Sequence, residues 1–457
     1  MESINKILDS DTIAAVATPP GNGGISVIRI SGPESIKIVN SAWKGKDLTK
    51  VSSHTVSYGS YISKSAEVLD ECLASVFISP ASFTGEDTVE LSVHGSQWIQ
   101  REILNDLIKR GARMAQPGEF TKRAFINGKL DLAQAEGVAD LIASSSKAAH
   151  DMAINQIKGS FSKEFDLLRK KLIEFASLME LELDFSEEEV EFAERESLLR
   201  LCNEIINKVS ELASSYSRGA VLKEGVPVVI AGIPNAGKSS LLNLLLNEEK
   251  AIVTDIPGTT RDIIEGAIEL DGILYRFYDT AGLRATDDVV ESIGVDRAIA
   301  SMKKAFIVIW LIDGLSPIEP QYKEIENFRE KYPEKHLLIL HNKSDLKDDF
   351  EETEGILCFS NHTRRGYNEL LTKLHALTTQ GKDLEKDIIV TNARHYEALI
   401  RAEDALGRVK EGLESGLSGD FIAQDIREAT AHLATITGAI TTDNLLSSIF
   451  SRFCIGK

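Results

Sequence analysis

In the first part of the chain, apolar residues gather in short β-rich runs. The runs "ISVIRI", "HTVSYGSYI", "CLASVFI" and "TVELSVHG" are separated by Gly/Pro turns and helical stretches, so Thr12 to about Thr121 is predicted to form an α+β domain. After "GEFTKRAFINGKLDL" the pattern changes. From Leu130 to about Leu222 apolar residues recur at helical spacing with hardly a glycine and no proline, which predicts long helices. Near Val226 the pattern becomes "VPVVIAGI", an apolar strand running into a glycine loop, and strand and helix alternate to about Gly381 as in a parallel α/β sheet. Helical periodicity returns from about Asp383 through "RHYEALIRAEDALGRVKEGLES" and "IREATAHLATI". The arrangement predicts an α/β domain inserted into a helical one, with both helical segments packing together; insertion at a surface loop costs little.

Composition narrows the class. The 457 residues are 43% hydrophobic and 26% charged, as in globular proteins, and no apolar run approaches the roughly 18 residues of a membrane span. The opening "MESINKILDSDTIAAVATPPG" lacks the basic start and apolar block of an export signal, so a cytoplasmic protein is expected. Cys72, Cys202, Cys358 and Cys454 are scattered, never at C-x-x-C spacing, and are expected to be reduced. A net charge of −19 repels nucleic acid overall, so any RNA contact needs a local basic patch or a partner's surface. The acidic run Glu187, Glu188, Glu189, Glu191 reads as a solvated helix face.

The chemistry is concentrated after the "VPVVIAGI" strand. "GIPNAGKSS" fits G-x-x-x-x-G-K-[ST] at Gly232, Gly237, Lys238 and Ser239, between a strand and the helical "SLLNLLLN". Such a loop, here with Asn235, Ala236 and Ser240, wraps phosphates in backbone N–H groups; Lys238 adds a cation and the Ser239 hydroxyl a Mg²⁺ ligand. "DTAG" spans Asp279, Thr280, Ala281 and Gly282, where Asp279 can hold the magnesium shell and Gly282 can approach the γ-phosphate. In "NKSD", with Asn342, Lys343 and Asp345, the Asp345 carboxylate accepts two hydrogens from guanine that adenine does not offer, so GTP is favoured over ATP. Ser360 and Asn361, after "GILCF", are candidates for a last base-contacting loop.

"TDIPGTTRD", which contains Thr254, Asp255, Ile256, Pro257, Gly258, Thr259 and Thr260, lies where a switch loop belongs, and Thr260 can complete the Mg²⁺ shell. Leu283 occupies the place where Ras-type proteins carry a water-orienting glutamine. Glu291 is the candidate water-positioning carboxylate, against the plainer reading of an exposed acid at a helix start. Asn235, with the Thr254 and Ile256 carbonyls and Thr259, could hold K⁺ against the β/γ-phosphate bridge; Arg261 and Arg284 are the conventional alternatives.

The terminal "FCIGK" has a superficial prenylation layout, but Gly456 and Lys457 do not suit it and no basic run precedes Cys454. A small buried thiol and a functional terminus remain as readings.

"GIPNAGKSSLLN", "TDIPGTTRD", "DTAGLR" and "NKSD", flanked by "SFTGED", "PGEFTKRAFINGKLDLAQAE" and "FCIGK", together resemble the MnmE (TrmE) family of tRNA modification GTPases over essentially the whole chain. The resemblance implies a tetrahydrofolate-binding and dimerisation domain at residues 1–127, a discontinuous helical domain at 128–223 and 382–457, and an inserted Ras-like G domain at 224–381. It implies a homodimer that joins the FAD-dependent partner MnmG (GidA) and installs a carboxymethylaminomethyl group on the wobble uridine of certain tRNAs. A 5-formyl or 5,10-methylene tetrahydrofolate would supply the one-carbon unit, and K⁺-assisted pairing of G domains would activate hydrolysis. Carried over by motif, Asn235, Thr254, Ile256 and Thr259 are potassium ligands, Ser239 and Thr260 magnesium ligands, and Glu291 the catalytic acid/base. Arg29, Glu90, Lys129 and Lys457 are folate-binding, with Cys454 beside them as a candidate catalytic thiol. Pro257 and Asn361 stand where the resemblance leads one to expect alanine. A GTP-driven assembly switch of the ribosome-biogenesis type, without modification chemistry, is the alternative reading of the nucleotide motifs.

Overall fold

The computed structural model describes residues 11–184, 195–248, 264–278, 302–346, 355–381 and 387–456. The chain divides into two compact units, Met1–Ala139 with Ala434–Lys457, and Asp140–Leu433.

The first unit is built on seven strands: β1 (Ile13–Val16), β2 (Gly23–Ser31), β3 (Trp43–Gly45), β4 (Thr55–Ile62), β5 (Val68–Phe77), β6 (Thr88–Gly95) and β7 (Arg113–Met114). Their order is β3-β4-β5-β6-β2-β1-β7, antiparallel except for the β1–β7 pair. Within the strands, burial alternates from residue to residue. In β5, Asp70, Cys72, Ala74 and Val76 are buried while Glu71 and Leu73 face outward. The inward set meets Ile103 and Leu107 of the helix Gln97–Lys109 in one core. Burying Val76, Ile103 and Leu107 stabilises the fold by ~1.5–3 kcal/mol each relative to exposure. Register places Arg29 of β2 directly opposite Glu90 of β6.

The helix Asp443–Phe450 and the residues after it belong to this same unit. Phe450 and Phe453, ring centroids 5.3 Å apart, pack with Leu132, Ala135, Leu446 and Ile449. Gly118 and Gly456 permit the close approach: a Cβ at Gly118 would lie 2.7 Å from the Phe450 carbonyl oxygen, and one at Gly456 would lie 2.4 Å from that of Val16.

The second unit combines helices with a six-stranded sheet: β8 (Val226–Ala231), β9 (Ile264–Leu270), β10 (Ile273–Tyr278), β11 (Ile307–Asp313), β12 (His336–Asn342) and β13 (Ile356–Cys358). The order is β13-β12-β11-β8-β10-β9, with all neighbours parallel except the β9–β10 hairpin. Every residue of β11 is buried, as expected for a strand with both faces covered. The helices before and after this sheet in sequence come together. Cys202, Ile205 and Val209 of Arg195–Ser214 and Ala402, Leu406 and Val409 of Ala393–Ser415 are buried at helical spacing, and the Cys202 thiol lies 3.8 Å from the Leu406 carbonyl. Where the chain enters and leaves the sheet, Ser215 Oγ accepts from the Val390 N–H at 3.0 Å, and Arg218 Nη1 donates to the Thr379 carbonyl at 3.2 Å. Among the described residues, no helix is long and apolar enough to cross a membrane.

Candidate functional site

The strand β8 ends at Ala231 and the helix Lys238–Glu248 begins seven residues later, so the intervening loop must turn tightly. Gly232, Asn235 and Gly237 take φ of 137°, 62° and 101°, a region that favours glycine and tolerates asparagine. Three side chains hold the loop's carbonyls. Lys238 Nζ donates to Gly232 O and Ile233 O, both at 2.9 Å; Asn342 Nδ2 donates to Ala236 O at 2.7 Å; and Asn361 Nδ2 donates to Gly237 O at 3.2 Å. Gly237 is required for this approach, since a Cβ there would lie 2.3 Å from Asn342 Nδ2 and 2.8 Å from Asn361 Nδ2. Asn235, Ser239 and Ser240 are exposed and Ala236 is buried. The hard oxygens of Asn235 and Ser239 suit K⁺ and Mg²⁺ respectively.

Parallel pairing of β12 with β11 and β13 delivers the other loops to the same edge. Asn342, the last residue of β12, is buried. Lys343 turns back at φ 64° and donates to Asp313 Oδ2 at 2.9 Å. Burial works to raise the Asp313 carboxyl, but hydrogen bonds from Lys343, the Leu315 N–H and Ser316 outweigh it and hold the group below the usual carboxylate range. Asp345 is exposed, its Oδ1 accepting from Ser360 Oγ at 2.7 Å. That bond holds its carboxyl below the usual carboxylate range. Thus Lys238, Asn342, Lys343, Asp345, Ser360 and Asn361 are brought together from three stretches of sequence.

Sequence reasoning missed Asp313. Its signal, an acid ending the apolar "IVIWLID" strand, is legible only once β11 is known to lie beside β12. Thr254, Asp255, Ile256, Pro257, Gly258, Thr259, Thr260, Asp279, Thr280, Ala281, Gly282, Glu291 and Lys457 lie outside the described residues.

A second polar cluster occupies the first unit. Arg29 Nε donates to Glu90 Oε1 at 2.8 Å and Arg29 Nη1 to Gly456 O at 3.3 Å, with the guanidinium 5.7 Å and 5.6 Å from the Phe83 and Phe120 rings. The neighbouring Cys454 carbonyl accepts from Gly118 N at 3.3 Å, leaving its side chain exposed. Lys129 Nζ donates to Pro80 O at 3.0 Å, and a Cβ at Gly85 would lie 3.3 Å from the Lys129 stem. A guanidinium, an exposed ammonium and a carboxylate beside aromatic faces match the donor and acceptor needs of a pterin with an acidic tail.

Beside this cluster lies a group that sequence reasoning did not foresee. Arg123, 1% exposed, pairs with Asp11 at 2.7 Å, Glu86 at 3.1 Å and Glu119 at 3.1 Å, and Arg113 pairs with Glu119 at 2.6 Å. The quoted motifs "SFTGED" and "PGEFTKRAF" supply Glu86, Glu119 and Arg123; helical spacing alone predicts only that Glu119 and Arg123 share a face.

Two family models match the chain. A family model described as "GTP-binding protein TrmE N-terminus" matches residues 12–129, and one described as "MnmE helical domain" matches residues 132–454. The chain belongs to the MnmE/TrmE family. MnmE relatives span its whole length: proteins named "tRNA modification GTPase MnmE" from Bacteroides fragilis, Flavobacterium johnsoniae and Cytophaga hutchinsonii are 48%, 48% and 49% identical. They cover 98%, 99% and 98% of this chain, and the matches take in 100%, 100% and 98% of those proteins. Among solved structures, the G domain of the T. maritima FeoB iron transporter matches 33% of this chain and 98% of its own at 26% identity; its TM-score of 0.26 is too low to carry an argument.

Proposed function

We infer that this chain hydrolyses GTP as a subunit of the machinery that modifies the wobble uridine of tRNA. The observation that carries the reading is full-length identity near 48% to tRNA modification GTPases, in a chain whose phosphate-loop and base-loop residues meet at one sheet edge. In this reading Asp345 recognises guanine, the backbone of 235–240 and Lys238 hold the phosphates, and Ser239 with Thr260 holds Mg²⁺. Lys238 exchanges its two loop carbonyls for phosphate oxygens, so its ammonium is never left without acceptors. K⁺, held by Asn235, Thr254, Ile256 and Thr259, would supply positive charge where transition-state charge builds, and Glu291 would orient the attacking water. Arg29, Glu90, Lys129 and Lys457 form the folate site in the first unit, with Cys454 at its rim. The working assembly is a homodimer joined to MnmG.

The test is nucleoside analysis of tRNA from cells lacking this protein. Loss of the carboxymethylaminomethyl uridine is expected; unchanged nucleosides with aberrant ribosomal particles would move the assignment to an assembly switch. With purified protein, GTP turnover should fall sharply when Na⁺ replaces K⁺, and equal rates in the two salts would remove the potassium proposal.

A further inference from the structure

The Asn361 side chain does something that the shared nucleotide motifs do not require. Its Nδ2 donates to Gly237 O at 3.2 Å, its backbone N–H to Asn342 Oδ1 at 3.4 Å, and its own Oδ1 is buried with no hydrogen-bond partner among the described residues. Since only the donor end of the amide is used, donation to the phosphate loop accounts for its orientation. Asn342 makes the matching contact one residue earlier, at Ala236 O. Two consecutive carbonyls of the phosphate loop are therefore held by two side-chain amides from the base-binding edge.

In a trans peptide the C=O and the following N–H lie in one plane and point in opposite directions. Holding Ala236 O orients the Gly237 N–H, and holding Gly237 O orients the Lys238 N–H. Both N–H groups are turned away from the amides, and they lie at the start of the helix Lys238–Glu248, where a loop of this type offers its donors to phosphate. Gly237 O also accepts from the Leu241 N–H at 2.9 Å, the first bond of the helix, so a hydrocarbon side chain at position 361 would leave the Gly237–Lys238 peptide plane with that bond alone.

We propose that Asn361 is a positioning residue for the diphosphate: its amide adds to the helix bond a second restraint on the Gly237–Lys238 peptide plane, so that the base loop helps pre-order the phosphate loop. The proposal rests on the guanine-nucleotide reading above, and it assigns to the Asn361 side chain an effect on phosphate retention rather than on base choice. Base choice stays with Asp345, whose own bond is to Ser360.

The experiment uses the full chain and a fluorescent GDP analogue, with release followed after mixing with excess GDP. Asn361→Ala should release it about fivefold faster, the ratio that one neutral hydrogen bond carries. Asn361→Asp, the same shape without a donor, should release it faster still, because a carboxylate then faces the Gly237 carbonyl. The preference for GDP over IDP, which lacks the 2-amino group, should stay unchanged in both variants, as should the melting temperature of the nucleotide-free protein. Release within about twofold of the unsubstituted chain in both variants would overturn the proposal, as would a collapse of the GDP/IDP preference. Failure of the unsubstituted chain to bind the analogue would instead overturn the nucleotide reading, and the proposal with it.

Discussion

The Arg123 cluster and the phosphate loop both gather polar atoms from distant sequence, but they satisfy them in opposite ways. Around Arg123, charges neutralise one another. Burial works against the Arg123 charge, and Glu86, Asp11 and Glu119 outweigh it and raise its pKa. At the phosphate loop, donors rest on neutral backbone carbonyls, which a bound anion can replace for Lys238. One region pairs its charges internally, leaving the buried Arg123 Nε without a partner among the described residues; the other is held ready. A closed ion cluster serves as scaffold, here for the loop bearing Phe83 and the helix bearing Phe120 that flank Arg29. A set of donors on exchangeable carbonyls serves as a site.

The sharpest way to break this contrast is to remove the cation from each region. Arg123→Met leaves the buried Glu119 with Arg113 alone and the partly buried Glu86 without this cation, and should destabilise the first unit by about 3 kcal/mol, read from the denaturant midpoint. Lys238→Met should leave that midpoint in place and lower GTP affinity about a hundredfold. An unmoved midpoint in the first variant, or a large shift in the second, would undo the distinction. A smaller effect separates scaffold from site within the first unit. Arg29→Ala should weaken 5-formyltetrahydrofolate about 10- to 100-fold by calorimetry, the range for a charged hydrogen-bonding partner. Unchanged binding heat would remove Arg29 from the proposed folate site.

The smallest effect concerns pH. Burial works to raise the Asp11 and Glu119 carboxyls, but hydrogen bonds from Arg113 and Arg123 lead the groups that outweigh it, so both lie below the usual carboxylate range. Carboxylates depressed in the folded state add stability above their unfolded pKa and lose it as pH falls through the folded value. The stability gap between the unsubstituted chain and Arg123→Met should therefore stay constant from pH 7 to about 5 and narrow below about pH 4. A gap that widens on acidification would show that the cluster is not held by ionised carboxylates.

Much of the site was legible because it is built from short spans. Gly232, Gly237, Lys238 and Ser239 identify a phosphate loop wherever a strand precedes and a helix follows, and both are present. Asp345 and Ser360 were readable as base-loop residues, though the bond between them spans a strand and could not be. Arg123 was not legible as a scaffold: helical periodicity groups it with Glu119, while Asp11 and Glu86 reach it only through the fold. The part of the terminus was likewise undecided by residue chemistry, since a buried thiol is the commonest fate of a free cysteine and only the resemblance favoured a functional end.

By itself the sequence determined the order of strand and helix patterns, the phosphate loop and the preference for guanine. Those depend on period, on glycine's backbone freedom and on the donor pattern of one base, all of which act over a few residues. Only the tertiary structure decided that the Gly456 carbonyl meets Arg29, that the Cys454 side chain faces solvent, and that Asn361 reaches the phosphate loop. Such contacts depend on register and loop path, where a shift of one residue turns a side chain to the other face of a sheet.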